Sequence, residues 1–312
     1  MFKKYFLMLM FALFFLSVQI NAQIEDEDST ETEYEDDEWF DDWDWNWDDQ
    51  WSGWHHGKPF IEFNYGRGKP DHDKLSQNFL DVGAIELKLG YVSFHDCSNA
   101  TIIEFNERYA FASRLATDLK SGNSTDNKFE SDLWRFGFGR RSGYGYNFDK
   151  VKILPYAQHA AVWSKLEMEN SANGISPLDN LLFGNNFDTE ILKRFDGEFR
   201  FGTLSEGGIR LEAASFISFN AGYEAAVIFP RHMVWKHLGS FIIETAGLEA
   251  LDKFVDEVID SSPFAGPIIN FLLKNGYSYA FYLLKKEKMN WPFNTEAPLT
   301  YETFKIGVTF TF

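Results

Sequence analysis

Residues 303–312 read TFKIGVTFTF. The alternation is strict: Phe304, Ile306, Val308, Phe310 and Phe312 share one face, while Thr303, Lys305, Gly307, Thr309 and Thr311 share the other. A period of two belongs to a β-strand, whose successive side chains point to opposite sides. An apolar face with no covering partner is what the closing strand of a membrane barrel presents to lipid.

The N-terminus agrees with it. Lys3 and Lys4 precede the apolar run YFLMLMFALFFLSV (5–18), and QINAQ follows. This pattern predicts a signal peptide over 1–22, cleaved after Ala22, since the run is short for a spanning helix. No Cys lies near that point, which removes a lipoprotein anchor. No later stretch reaches 18 continuous apolar residues, so no helical span is expected. Barrel strands are short and alternating and escape such a search.

Composition narrows the function classes. The lone Cys97 leaves no intramolecular disulfide and no multi-cysteine metal site, and no cofactor is expected. Aromatic residues make up 18% of the chain, which suits interfacial girdles. A formal charge of −18 argues against nucleic acid as a partner. Much of that charge lies in EDEDSTETEYEDDEWFDDWDWNWDDQ (25–50), where Trp39, Trp43, Trp45 and Trp47 interrupt the acids. Residues 23–57 are expected to form a disordered, solvated tail, or a docking peptide for a periplasmic partner. No calcium-loop spacing is present, and the adjacent His55 and His56 have poor chelating geometry on a strand.

Seven more segments read as strands: 59–67, 82–95, 101–113, 131–147, 152–166, 196–213 and 216–228, the fifth with its two faces left undefined by Pro155, Gln158 and His159. With the closing strand they make eight, the even number a bacterial single-chain barrel requires. Short connections follow strands two, four and six, and longer ones follow the others, as at the periplasmic and outer ends of such a barrel. Apolar faces are assigned to lipid, including Ile103, Phe105, Tyr109 and Phe111 on the third strand, where Glu107 reads as an interruption. The opposite faces then line the lumen with Glu62, Glu86, Lys88, Glu104, Arg108, Arg135, Glu198, Arg200, Glu206, Arg210, Glu212, Glu224 and Lys305. Nearly cancelling charges in a lumen wide enough only for side chains predict an ion-paired, filled core.

The terminal strand resembles the C-terminal assembly signal of Gram-negative outer-membrane β-barrels. The pattern over 59–230 and 300–312 is similar to the small eight-stranded barrels of the OmpA and OmpX type. That resemblance implies an all-β transmembrane antiparallel barrel of about eight strands, located in the cell outer membrane. It also implies contact with outer-membrane lipid, and recognition of the Phe304, Ile306, Val308, Phe310, Phe312 face by the barrel-assembly machinery. The chain departs from the type in its acidic tail and in one insertion.

The insertion, 231–299, loses the period of two. Leu248, Leu251, Val255, Val258 and Ile259 recur at helical spacing, Pro263 and Pro267 interrupt, and Ile268–Lys286 reads as a second helix. An α-helical insertion before the last strand, on the outer side, must bury its apolar stripe as a cap on the rim, as a plug in the barrel, or along the outer leaflet. In the last case Lys274, Tyr279, Tyr282, Lys285, Lys286 and Trp291 are the candidate lipid contacts. His232 and His237, with Ser240 and Glu244 nearby, are the only hydrolase candidates, and no nucleophile elbow or metal spacing supports them. The expected role is non-enzymatic, either structural or ligand-binding through the insertion and outer loops. Solute or lipid transport stands second and hydrolysis third.

Overall fold

The computed structural model describes residues 57–76, 78–97, 101–120, 129–148, 151–168 and 186–312. The expected signal peptide and all but the last residue of the expected acidic tail lie outside the described residues. Eight strands follow: β1 (Lys58–Asp71), β2 (Val82–Asp96), β3 (Ile102–Ala116), β4 (Asp132–Phe148), β5 (Val151–Glu167), β6 (Phe199–Ala214), β7 (Ile217–Ile228) and β8 (Leu299–Thr311). Each pairs antiparallel with its chain neighbour, and β8 closes on β1. The expected closed antiparallel barrel of eight strands is what the chain forms. β6 runs unbroken through Ser205–Gly208, a single strand like the expected segment 196–213.

The register fixes the shape. The cross-strand row Pro59, Tyr91, Arg108, Arg140, His159, Ser205, Ala225, Glu302 returns to β1 at Lys69, ten residues beyond its start. With a rise of about 3.3 Å per residue and strands about 4.7 Å apart, this offset tilts the strands by about 41°. A barrel of eight strands at that tilt encloses room for side chains only.

The faces are inverted relative to a soluble barrel. Phe63, Leu89, Phe136, Phe138, Phe304, Ile306 and Phe310 are exposed on the outer wall, while Glu62, Lys88, Arg135 and Lys305 are buried inside. Strands of 12 to 17 residues exceed the span of about 9–11 that a tilted membrane strand needs. An apolar belt around a closed wall, with every backbone edge paired, is the architecture of an outer-membrane barrel.

The lumen is filled in layers. At the mouth, the short helix α1 (Asn186–Leu192) lowers Ile191 and Leu192, followed by Phe195, among Phe79, Leu133, Leu166, Leu204, Leu299 and Tyr301. Asp188 holds α1 in place by accepting from the Ser76 N–H at 3.2 Å and from its hydroxyl. At the turn end, Ile103, Phe105, Leu154 and Tyr156 form a second apolar layer. Charged groups lie between.

Two further helices, α2 (Val234–Ser261) and α3 (Gly266–Glu287), form a hairpin between β7 and β8. α3 runs along the outside of the wall over β4–β7 and α2 packs on α3. The helices bury their apolar stripes against each other and the wall, which corrects the expected cap on the rim and the expected plug in the barrel. The reason lies in the wall beneath. The outward residues there include Ala157, His159, Ala161, Ser205, Gly207 and Ala225, too small and polar for a lipid belt but flat enough to seat a helix. A Cβ at Gly207 would press on the Asn275 amide of α3 and force it to move. Asn275 Nδ2 donates to the Tyr156 carbonyl at 3.0 Å, and Tyr146 OH donates to the Phe264 carbonyl at 2.7 Å.

Candidate functional site

The lumen charges form one network. Five cations (Lys88, Arg135, Arg141, Arg210, Lys305) meet five carboxylates (Glu62, Glu86, Glu107, Glu206, Glu224), all buried. Arg141 is the hub of the turn-side half. It donates to Glu62 at 2.7 and 2.9 Å and to Glu107 at 2.9 Å, and its Nε reaches Gln158 at 3.0 Å. Its guanidinium also lies 4.4 Å from the centre of the Tyr156 ring. Arg210 takes the other Glu107 oxygen. Lys305 is the hub of the mouth-side half, with Glu206 at 2.6 Å, Glu224 at 2.7 Å and Glu86 at 2.9 Å. Lys88 ties the halves together through Glu62 at 3.2 Å and Glu86 at 3.3 Å. Arg135 completes Glu224 at 2.6 Å.

Burying ten charges is tolerable only because each is paired and hydrogen-bonded. The arrangement holds opposite walls together across the barrel axis. Every carboxylate and every cation of the network has a partner of opposite charge.

Of the expected lumen residues, Glu62, Glu86, Lys88, Arg135, Glu206, Arg210, Glu224 and Lys305 lie in this network. Glu212 faces inward near the turn end, paired with Lys152 at 2.7 Å. Arg200 faces inward at the mouth, half-buried, outside the network. Three assignments are corrected. Glu104 and Arg108 face outward, because β3 is turned over relative to its expected orientation: Ile103, Phe105, Tyr109 and Phe111 point inward with Glu107 between them. The apolar layers capping the charged layer are what make an apolar strand face point into the lumen here. Glu198 is exposed and precedes β6. Glu107, Arg141 and Gln158 were not among the expected residues. Inward parity from Arg135 passes through Arg141 on the same strand, so that residue was within reach of the pattern.

The closing-strand residues Phe304, Ile306, Phe310 and Phe312 are exposed on the outer wall, and Val308 is half-exposed. The candidate lipid contacts of the insertion are mostly turned toward protein. Lys285 is buried against Glu244, Tyr282 is buried and donates to Glu302 at 3.2 Å, Lys274 pairs with Asp252, and Lys286 reaches Asp71 at 2.7 Å. Trp291 stands edge-on to Phe281, and Tyr279 alone is well exposed, beside Tyr223. The helix carries its cations inward because the acids it must meet lie on α2 and on the barrel rim. Exposed apolar residues sit elsewhere, on the first turns of α2: Val234, Trp235, Leu238 and Phe241.

The hydrolase candidates do not converge. His237 stacks on Phe229 at 4.4 Å and has Nδ1 2.5 Å from Asn290 Oδ1, while Glu244 is committed to Lys285.

A cavity of about 330 Å³ lies between hairpin and wall, bordered by Glu104, Asn106, Arg140, His159, Asp252 and Lys274 among others. Arg140 donates to Asn106 Oδ1 at 2.8 Å, and Asn106 Nδ2 donates to Glu104 at 2.8 Å.

No family model and no curated protein matches the chain. Among solved structures it is similar to Neisserial surface protein A, with a TM-score of 0.38 and 9% identity over 81% of this chain and 97% of that one. It is also similar to Ail, the attachment invasion locus protein of Yersinia pestis, with a TM-score of 0.31 and 9% identity over 82% of this chain and 99% of that one. Ail bound to the heparin analogue sucrose octasulfate gives a TM-score of 0.30 at 10% identity. At these values no property of those proteins is carried over.

Proposed function

We propose that the protein is a non-conducting, non-enzymatic barrel of the cell outer membrane, serving the envelope through its hairpin face and outer rim in a structural or binding role. One observation carries this reading: the lumen is packed along its length, with apolar layers at mouth and turn end enclosing a self-neutralised charged layer. Such an interior holds the barrel rigid and leaves the outside as the surface that meets partners. Lipid against the exposed aromatic wall, and the assembly machinery against the outward face of β8, are the contacts this reading includes. The acidic tail is assigned a periplasmic partner on its composition alone.

Single-channel conductance in a planar bilayer tests it. Both the full chain and a version lacking 232–297 are expected to be silent, because the hairpin lies on the wall and stoppers nothing. Steady current steps from either would sink the reading in favour of transport.

A further inference from the structure

Arg108 and Arg140 are register partners on β3 and β4, and both side chains point outward. Arg140 is the ninth of the 17 residues of β4, so the pair stands at mid-height on the wall. Neither forms an ion pair among the described residues, and Arg108 Nη1 is buried without a hydrogen-bond partner. Arg140 borders the cavity beside the hairpin and donates to Asn106, yet neither arginine has a counter-ion among the described residues at mid-bilayer, one of the costliest positions for such a charge on a barrel wall.

Beside them α2 turns a second charged strip outward. Glu249, Lys253, Asp256, Glu257 and Asp260 recur along one exposed side of the helix with a net negative charge. Asp256 accepts from Tyr144 OH at 3.0 Å, and it borders the same cavity as Arg140, which sets the acidic strip at the arginines' height. Neither helix is long and apolar enough to cross a membrane by itself. One side of the barrel therefore carries a basic strip and an acidic strip, next to each other, where lipid would solvate neither.

We propose that this side is the interface of a homodimer, with its two-fold axis parallel to the barrel axis. That operation exchanges left and right while keeping height. It sets Arg108 and Arg140 of each copy against Glu249 and Glu257 of the other, so each strip neutralises its complement twice. Exposed Ala246 and Ala250 let the two α2 helices approach closely at the centre. A basic partner protein would cover the acidic strip and leave the arginine pair in lipid. A second copy of this chain supplies both complements.

The proposal rests on the transmembrane reading, and the test separates the two. The full chain is reconstituted in lipid nanodiscs, and its stoichiometry is read by native mass spectrometry, with heat-modifiable gel migration as the check on folding. Wild type is expected to be dimeric. R108E/R140E and E249K/E257K are each expected to be folded and monomeric, with association weakened at least about 30-fold. Mixing the two is expected to restore a heterodimer, because one junction becomes Glu against Lys and the other keeps the wild-type pairing. Should R108E/R140E fail to fold, R108Q/R140Q reads the same loss. A wild type that inserts but stays monomeric, dimers indifferent to both charge reversals, or a mixture that stays monomeric would each overturn the dimer. A wild type that never inserts would overturn the transmembrane reading and the dimer with it.

Discussion

Arg141 and Glu62 are joined by two hydrogen bonds of 2.7 and 2.9 Å across the lumen, from β4 to β1, and neither side chain has any exposure. The pair links strands that are not neighbours in the sheet, so it braces the barrel in a direction that backbone pairing does not. The other hub, Lys305, does the same from β8 to β2 and β6. The charged layer is thus a set of struts whose cost is met only when every member is present.

Removing one strut end should be expensive. Arg141→Met leaves Glu62 and Glu107 short of a partner in a site without water access, and is expected to destabilise the barrel by about 3–5 kcal/mol. Combining it with Glu62→Gln should cost less than the two single changes together, since the orphaned charge goes with its partner. Urea unfolding from lipid vesicles measures both. A loss below about 1 kcal/mol for Arg141→Met would mean that the network does not brace the wall.

Depth in the bilayer is testable on β8. Ile306 lies near the middle of its strand and Phe312 just beyond its end, both exposed on the outer wall. Ile306→Lys should cost about 2–4 kcal/mol, while Phe312→Lys should cost no more than about 1, because the penalty falls toward the interface. Equal costs at the two positions would be incompatible with a lipid-facing wall.

The hairpin's seat depends on a missing side chain. A Cβ at Gly207 collides with Asn275, whose amide otherwise bonds the Tyr156 carbonyl at 3.0 Å. Gly207→Val is therefore expected to lift α3 from β5 and β6 and leave the barrel intact. Protease cleavage within 234–287 should rise sharply while heat-modifiable migration stays unchanged. Unaltered cleavage would show that the hairpin is held by other contacts.

Strand number, pairing order and closure were legible because alternation and loop length are local signals. The faces were legible on β1, β2, β4, β6, β7 and β8, where apolar side chains meet lipid and charges meet one another. β3 failed because the one carboxylate on its inward face, Glu107, sits between inward aromatics, and its partners Arg141 and Arg210 are distant in the chain. The faces of β5 were unreadable for a related reason. Its outward side carries Pro155, Ala157 and His159, which suit a docked helix and not a membrane. Helical periodicity found both helices of the insertion but not their seat, since a helix covering the wall and one covering the rim show the same spacing.

The rim end of the hairpin should respond to acid. His237 is half-buried on Phe229, and burial pushes its imidazole below the usual value although the Asn290 contact works the other way. The docked state then binds fewer protons than the undocked one. Its stability is complete above the usual value of about 6.5 and declines as pH falls through that value toward the depressed one. Amide exchange over 231–240, corrected for its intrinsic rate, should be slow at about pH 7.5 and markedly faster near pH 5. His237→Gln cannot titrate, so its corrected exchange should lose most of that pH dependence. Equal protection of the wild type at both pH values would show that docking does not depend on a neutral His237.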